Sequence, residues 1–380
     1  MRVWAEINLD NLKNNINIIK EIAGSKHILG VVKANAYGHG AIEVATELKK
    51  CGVDFFGVAC VDEAEELRKH GIDNNILILG CTPLDEWKKA VSLGIQLTLS
   101  SFKEIEYIEK TGIFPKIHVK IDTGMGRIGF TPLDAEKAIN YIKKRKIAEI
   151  VGLFTHFAVS DEDEEFTLKQ KEEFEKVASK FTDIEYKHVS NSAGILNFKF
   201  DYNMVRPGII LYGIVPFKND ELQKRFKPVM TLKTNVTFVK KIEEDMTISY
   251  GRTFKAEKGS IIATLPVGYA DGISRFFSNK GEVLIKGKKC KIVGRVCMDQ
   301  MMVEIPKEIA NVEAGEEAVI FGEELLVEEI ASIIGTISYE ILTNINNRVP
   351  RLYIKNGKFV KIKSLLGRKE IADEQNKEDI

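Results

Sequence analysis

The sequence predicts an α/β protein: an N-terminal (β/α)8 TIM-type barrel followed by a mainly antiparallel β domain. Short apolar, β-branched runs alternate with helical patterns from residue 28 to about 212. After about residue 225 the texture changes to strand-like runs separated by tight turns. The length, 380 residues, exceeds what one core ordinarily fills, so two domains are expected.

The opening RVWAEINLD is strand-like and precedes a helical pattern over 11–22. Lying ahead of the first barrel strand, it is expected to pair with the β domain. Barrel strands are expected at Ile28–Ala34, Asp54–Ala59, Ile76–Leu79, Ile95–Leu99, Lys116–Asp122, Ile150–His156, Ile184–Ser190 and Tyr202–Arg206. Helical stretches such as AIEVATELKKC, SFKEIEYIEKTG and PLDAEKAINYIKKRK lie between them, several opening on Ser, Thr or Asp and closing at Gly, as caps should. Eight such steps in ~200–250 residues describe the barrel; an open doubly wound sheet is the alternative. Beyond it, VMTLKTNVTFVKKI, SIIATLPVGYADG, EVLIKGKKCKIVGRV and QMMVEIP read as antiparallel strands. The division expected is a barrel at 9–225, a β domain at 226–368 that also takes residues 2–8, and a frayed charged tail at 369–380.

Composition narrows the partners. Lys plus Arg balance Asp plus Glu at 55 each, which gives no electrostatic reason to expect nucleic acid or an anionic membrane. The five cysteines form no Cys-x-x-Cys pair and read as reduced thiols of a cytoplasmic protein. The start shows no signal-peptide pattern, and no apolar run reaches the ~18 residues of a membrane span. Six scattered histidines give no metal site.

Barrel sites lie at the C-terminal ends of strands, with phosphate held by the loops after strands seven and eight. Unusual residues gather there. Lys33 ends the first strand, Arg127 follows the fifth in IDTGMGRIGF, and His156 ends the sixth. Asn191 and Ser192 follow the seventh in KHVSNSAGIL, and Arg206 ends the eighth in MVRPGI. Each alone has an ordinary structural explanation; together on one rim they predict a site. GMGRIG matches a dinucleotide fingerprint only in letters, because no helix begins inside it, and it is read as a tight turn presenting Arg127. Ser192 supplies a hydroxyl at a helix start, while Gly208 lets the N–H groups of Gly208 and Ile209 approach an anion. A Schiff-base lysine opposite a phosphate cradle points to pyridoxal 5'-phosphate, with the aldehyde on Lys33.

The motifs VVKANAYGHG, DTGMGRIGF, THFA, NSA, VRPGI, LPVGYADG, GRVCMDQ and RVPR occur in that order. With them the chain closely resembles the bacterial alanine racemases from about residue 2 to 365. The resemblance implies a pyridoxal-phosphate-dependent isomerase that interconverts L- and D-alanine for cell-wall peptidoglycan. It also implies a head-to-tail homodimer with active sites shared across subunits. Lys33 is then the base on one face of the α-carbon and Tyr269, from the partner subunit, the base on the other. A tyrosine of pKa ~10 needs a positive or hydrogen-bonding neighbour to act as a base, and His156 is the family's candidate.

Arg206 would face the pyridine nitrogen as a donor only, which disfavours reactions needing a strong electron sink. His188 would steady Arg206. Arg127 would contact the phenolic oxygen and substrate carboxylate, Tyr37 the phosphate, and the Met298 backbone N–H the carboxylate across the dimer. Asp299 matches the family's Met-Asp step, and Lys120 aligns with a lysine that many relatives carry as a carbamate. Where relatives have a tyrosine before RVPR this chain has Asn347, which puts one phosphate contact in doubt and suggests tolerance of side chains larger than methyl. Serine or lysine racemisation, a barrel-type decarboxylase and a non-catalytic pyridoxal phosphate carrier are the competing readings. The decarboxylase needs a carboxylate where Arg206 stands, and the carrier lacks a β domain.

Overall fold

Burial in the first strand of the computed structural model shows where the N-terminus belongs. In Val3–Asn8 (β1) the side chains of Val3, Trp4, Ala5 and Ile7 are buried. β1 pairs antiparallel with Met230–Asn235 and parallel with Arg351–Lys355, deep in a sheet made otherwise of C-terminal strands. The structure describes residues 1–309, 311–365 and 367–370.

Eight parallel strands follow β1: β2 (His27–Val31), β3 (Phe55–Val58), β4 (Asn75–Ile78), β5 (Leu97–Leu99), β6 (Lys116–Lys120), β7 (Glu149–Phe154), β8 (Tyr186–His188) and β9 (Met204–Val205). Two four-stranded runs, β4-β3-β2-β9 and β5-β6-β7-β8, are joined by the Leu77–Gln96 bridge. The Arg206 N–H completes the ring by donating to the Ser190 carbonyl. The strands are shorter than the sequence suggested. β2 stops at Val31 rather than Ala34, because residues 34–37 turn left-handed, which no strand accommodates. The first helix starts earlier than expected, at Leu9, because the Asn8 side chain accepts from the Asp10 and Asn11 N–H groups.

The remaining strands are β10 (Met230–Asn235), β11 (Phe238–Lys241), β12 (Met246–Ile248), β13 (Phe254–Ala256), β14 (Ile261–Leu265), β15 (Glu282–Ile285), β16 (Lys288–Ile292), β17 (Met301–Ile305), β18 (Glu317–Phe321), β19 (Arg351–Lys355), β20 (Lys358–Ser364) and β21 (Gly367–Glu370). With β1 they form a sheet in the order β11-β14-β17-β16-β15-β18-β10-β1-β19-β20-β21, and β12 pairs with β13. Every pair in the large sheet is antiparallel except β1 with β19. Of the tail expected at 369–380, Lys369 and Glu370 belong to β21, and 371–380 lie outside the described residues.

Two compact units result. One takes residues 1–11, 37–40 and the chain from 227 onward; the other takes 12–36 and 41–226. The short segment 37–40 joins the β unit through side chains of β19. Arg351 Nε donates to the Gly38 carbonyl at 3.0 Å and the Tyr353 hydroxyl to the His39 carbonyl at 3.2 Å. Among the described residues no helix is long and apolar enough to cross a membrane. Ile7 is fully buried between β10 and β19, so Ile7→Ala should cost about 2–5 kcal/mol in urea unfolding. A loss under about 0.5 kcal/mol would place β1 outside the core.

Candidate active site

Lys33 opens a turn that few sequences adopt. Ala34, Asn35, Ala36 and Tyr37 all hold φ of 52–53°, a left-handed turn of non-glycine residues. Each such residue costs roughly 1–2 kcal/mol. The turn is held from outside: Glu63 accepts from the Ala34 N–H at 2.6 Å and the Ala59 N–H at 2.7 Å, and Asn35 Oδ1 accepts from the Ala41 N–H at 3.0 Å. Lys33 therefore lies two residues past β2 rather than at its end. Burial, then the nearby Arg127 guanidinium, pull its amine below the ordinary lysine range, and Glu63 pulls the other way. Tyr37 closes the turn and falls in the β unit, its ring 5.9 Å from that of Tyr339.

The GMGRIG loop forms a tight turn with no helix inside it, for Pro132–Arg145 begins only after Thr131. Asp122 Oδ1 accepts from the Gly124 and Gly126 N–H groups, and a Cβ on Gly129 would stand 2.8 Å from the Asp122 nitrogen. Arg127 is exposed at its tip.

Arg206 is the hub of the barrel end, 3% exposed. Its Nη1 donates to His188 Nδ1 at 2.9 Å and to the His188 carbonyl at 2.8 Å. Its Nη2 donates to the carbonyls of Thr155 (2.8 Å) and Val189 (2.9 Å), with His156 Nδ1 at 3.4 Å. The Nε–H has no acceptor among the described residues. Burial brings the guanidinium down to about 9, so it stays charged at neutral pH. That buried charge governs its neighbours. Burial and Arg206 hold His156 and His188 well below the ordinary histidine range, and both are neutral. The His156 proton belongs on Nε2, since Nδ1 faces a donor. Lys120 lies 5.1 Å from the centre of the Phe154 ring, and burial, then Arg206, bring its amine to about 7.

Asn191 caps the helix Ser192–Asn197 by accepting from the Gly194 N–H, and also accepts from the Ser160 hydroxyl. Its side chain is thus committed to the loop. Ser192, one residue on, accepts from the Gly208 N–H at 3.0 Å. That N–H, expected to face an anion, instead fixes the hydroxyl. Ile209 begins the next helical turn, and neither helix start has intrahelical acceptors for its first N–H groups.

In the β unit two loops are clamped together. Tyr269 N–H donates to the Cys297 carbonyl and Ala270 N–H to the Met298 carbonyl, both at 3.0 Å. A Cβ on Gly268 would stand 2.3 Å from the Cys297 oxygen. Tyr269 and Met298 are thereby presented as one rigid, exposed pair, 43% and 53% accessible. Beneath them Asp271, fully buried, takes ion pairs from Arg2 and from Arg348 Nε at 2.7 Å, and Arg348 also holds Asp299. Sequence reasoning missed Glu63, Asp122, Arg2, Asp271, Arg348, Gln96 and His118. A signal existed for His118, which lies two residues before Lys120 and so on the same face of β6.

A half-buried lysine with a lowered pKa, a donor-only guanidinium and two helix starts on the strand ends of a parallel barrel define a barrel-type pyridoxal-phosphate enzyme. The donor set fits that cofactor's phosphate, aldehyde and ring nitrogen, and the barrel carries an added β unit. Residues 7–216 match the alanine racemase N-terminal domain and 229–353 the alanine racemase C-terminal domain. The alanine racemase of Clostridium perfringens is 45% identical over 384 residues, covering 96% of this chain and 98% of the relative. Alanine racemase 2 of Caldanaerobacter subterraneus subsp. tengcongensis is 44% identical over 377 residues, covering 95% and 97%. The solved alanine racemase of Clostridium difficile 630 superposes with a TM-score of 0.90 at 42% identity, covering 96% of this chain and 98% of that one. That of Bacillus anthracis with bound L-Ala-P gives 0.88 at 34%, with the same coverage. The chain belongs to the alanine racemase family.

Three neutral histidines, the buried His118 and His188 and the half-buried His156, make stability depend on pH. Below about pH 6.5 the unfolded chain takes up protons that the folded chain refuses, so stability falls as pH falls, by about 1.4 kcal/mol per unit for each histidine. Denaturant titrations at about pH 7.5 and about pH 5.5 measure this; equal stabilities would mean the rings titrate in the fold as they do in the unfolded chain.

Proposed function

We propose that this enzyme racemises alanine by a two-base route in the cytoplasm, as a homodimer whose β unit completes the partner's barrel site. The observation that carries the reading is the split of proton-moving groups. The barrel holds an amine, Lys33, whose pKa is lowered, and the β unit displays an exposed phenol, Tyr269, locked beside Met298. One base returns a proton mostly to the face it left; inversion needs two.

Pyridoxal phosphate, when bound, supplies the conjugated ring that makes the α-hydrogen of an amino acid acidic. Lys33 would hold its aldehyde, and its Nζ would move the proton on one face. The partner subunit's Tyr269 moves it on the other through its phenolic oxygen. His156, neutral with its proton on Nε2, stabilises the phenolate by a hydrogen bond rather than a charge. Arg206 offers Nε–H to the ring nitrogen and keeps it unprotonated, since a guanidinium only donates. That limits electron withdrawal and disfavours decarboxylation and transamination. Ser192, Asn191, Gly208, Ile209 and Tyr37 surround the phosphate, with Asn191 acting through its backbone. Arg127 and the Met298 N–H, which has no acceptor among the described residues, hold the substrate carboxylate. Asp299 and His188 steady Met298 and Arg206.

Lys120 has a further role in this reading. Its amine, near 7, is in good part neutral and available for carbon dioxide, and a carbamate, formed with release of a proton, would put a single negative charge beside Arg206 and Arg127. A broader substrate range is favoured by Asn347, a short exposed side chain where relatives carry tyrosine.

Circular dichroism with L-alanine, L-serine and L-lysine in turn tests the function: loss of rotation with alanine is expected, and formation of an amine instead would sink it. A measurable serine rate that falls on Asn347→Tyr supports the wider entrance; strict alanine preference counts against it. Lys33→Ala should abolish visible absorbance. Tyr269→Phe should slow proton removal from L-alanine by roughly 10²–10⁴-fold and from D-alanine far less. Mixed Lys33→Ala and Tyr269→Phe subunits should regain activity if sites are shared.

A further inference from the structure

Behind Arg206 a line of buried polar side chains runs down the barrel interior. His188 Nε2 lies 2.9 Å from His118 Nδ1, and His118 Nε2 lies 2.7 Å from Gln96 Oε1. Gln96 Nε2 then donates to Asn75 Oδ1 at 3.1 Å, at the exposed start of β4. Two backbone features make room for it. The β6–β7 pairing slips between Ile117 and His118, so that His118 stands opposite Gly152. A Cβ on Gly152 would lie 2.0 Å from His118 Nδ1.

The direction of the line is forced from one end. Arg206 can only donate, so His188 Nδ1 accepts and a neutral His188 carries its proton on Nε2. That proton points at His118 Nδ1, which accepts in turn, leaving the His118 proton on Nε2 for Gln96 Oε1. We propose that Gln96 is a positioning residue for Arg206: through His118 and His188 its carbonyl end fixes this direction and holds the guanidinium with only Nε–H free. With the amide reversed, His188 would carry its proton on Nδ1, against an Arg206 N–H. The guanidinium would then have to leave the Thr155 and Val189 carbonyls. The inference rests on the reading of Arg206 given above.

The surroundings keep the line neutral. His118 faces Arg206, His188, Gln96, the Tyr186 ring stacked at 6.3 Å and the edge of Phe154. His188 faces Arg206, His118, Lys120 and the Phe154 ring stacked at 4.8 Å. None of these is a carboxylate. Gln96→Glu would introduce one without changing length, favouring a doubly protonated His118 whose Nδ1–H opposes His188.

The test uses the holoenzyme labelled with ¹⁵N-histidine. In the wild type both rings should read as Nε2–H tautomers, unchanged from about pH 6 to about pH 9. A His188 proton on Nδ1, or titration of either ring in that range, would overturn the inference. In Gln96→Glu, His118 should titrate. Its kcat should fall about tenfold or more at about pH 6 and recover toward pH 9, with the cofactor's visible absorbance shifting in step. A pH profile and spectrum matching the wild type would also overturn it. Gly152→Ala, which displaces His118 while removing no hydrogen-bonding group, should lower kcat at every pH; wild-type kcat would count against the line. An Arg206→Lys spectrum identical to the wild type would instead defeat the reading of Arg206 itself.

Discussion

A full positive charge buried at the end of the barrel is the constraint around which this site is built. Arg206 is almost wholly out of water, and removing a cation from water costs several kcal/mol unless its donors are met. Three carbonyls and a histidine nitrogen meet the four Nη donors, and among the described residues only Nε–H is left over. The surrounding ionisable groups then have to give way: two histidines stay neutral and Lys120 drops to about 7. What remains is a positively charged barrel end that also carries the amine of Lys33. Such a charge suits an anionic cofactor and a substrate carboxylate, and in the proposed function it would limit the chemistry a bound ring supports.

The β unit solves a different problem. Tyr269 and Met298 sit on loops, where chain entropy works against precise placement. Two successive backbone hydrogen bonds from the 269–270 loop to the 297–298 carbonyls, and the absence of a Cβ at Gly268, remove that freedom. The buried Asp271 carboxylate adds a charged anchor that draws in Arg2 from the N-terminus and Arg348 from the RVPR stretch. Burial opposes ionisation of Asp271, but its two arginines and the Gly268 N–H hold it below the usual carboxylate range. This explains why β1 belongs to the sheet of the C-terminal strands: the first residues of the chain help to set a loop near residue 270.

Much of this was legible in the sequence, for reasons that differ by element. Strand–helix alternation and the change of texture near residue 225 report burial on one face or two, which a single chain displays directly. Lys33, Arg127, His156 and Arg206 stood out because charged residues at the ends of apolar runs are costly without a use. The left-handed turn at 34–37 was not legible, since alanine and tyrosine carry no signal for positive φ and the turn is held by Glu63 from outside and by the bond from the Ala41 N–H to its own Asn35. Gln96 and His118 were hidden because a polar residue inside a barrel looks like any strand residue until its partners are known. The helix-capping role of the Asn191 side chain was not legible either, and neither was the Gly208 N–H that Ser192, the next residue, accepts.

In the proposed function a donor-only arginine, held from behind by neutral histidines, would keep the cofactor's ring nitrogen free of a proton. The most direct measurement is ¹⁵N NMR of holoenzyme reconstituted with pyridoxal phosphate labelled at that nitrogen. The account predicts an unprotonated pyridine signal that does not change across the range of activity; a pyridinium signal at neutral pH would contradict it.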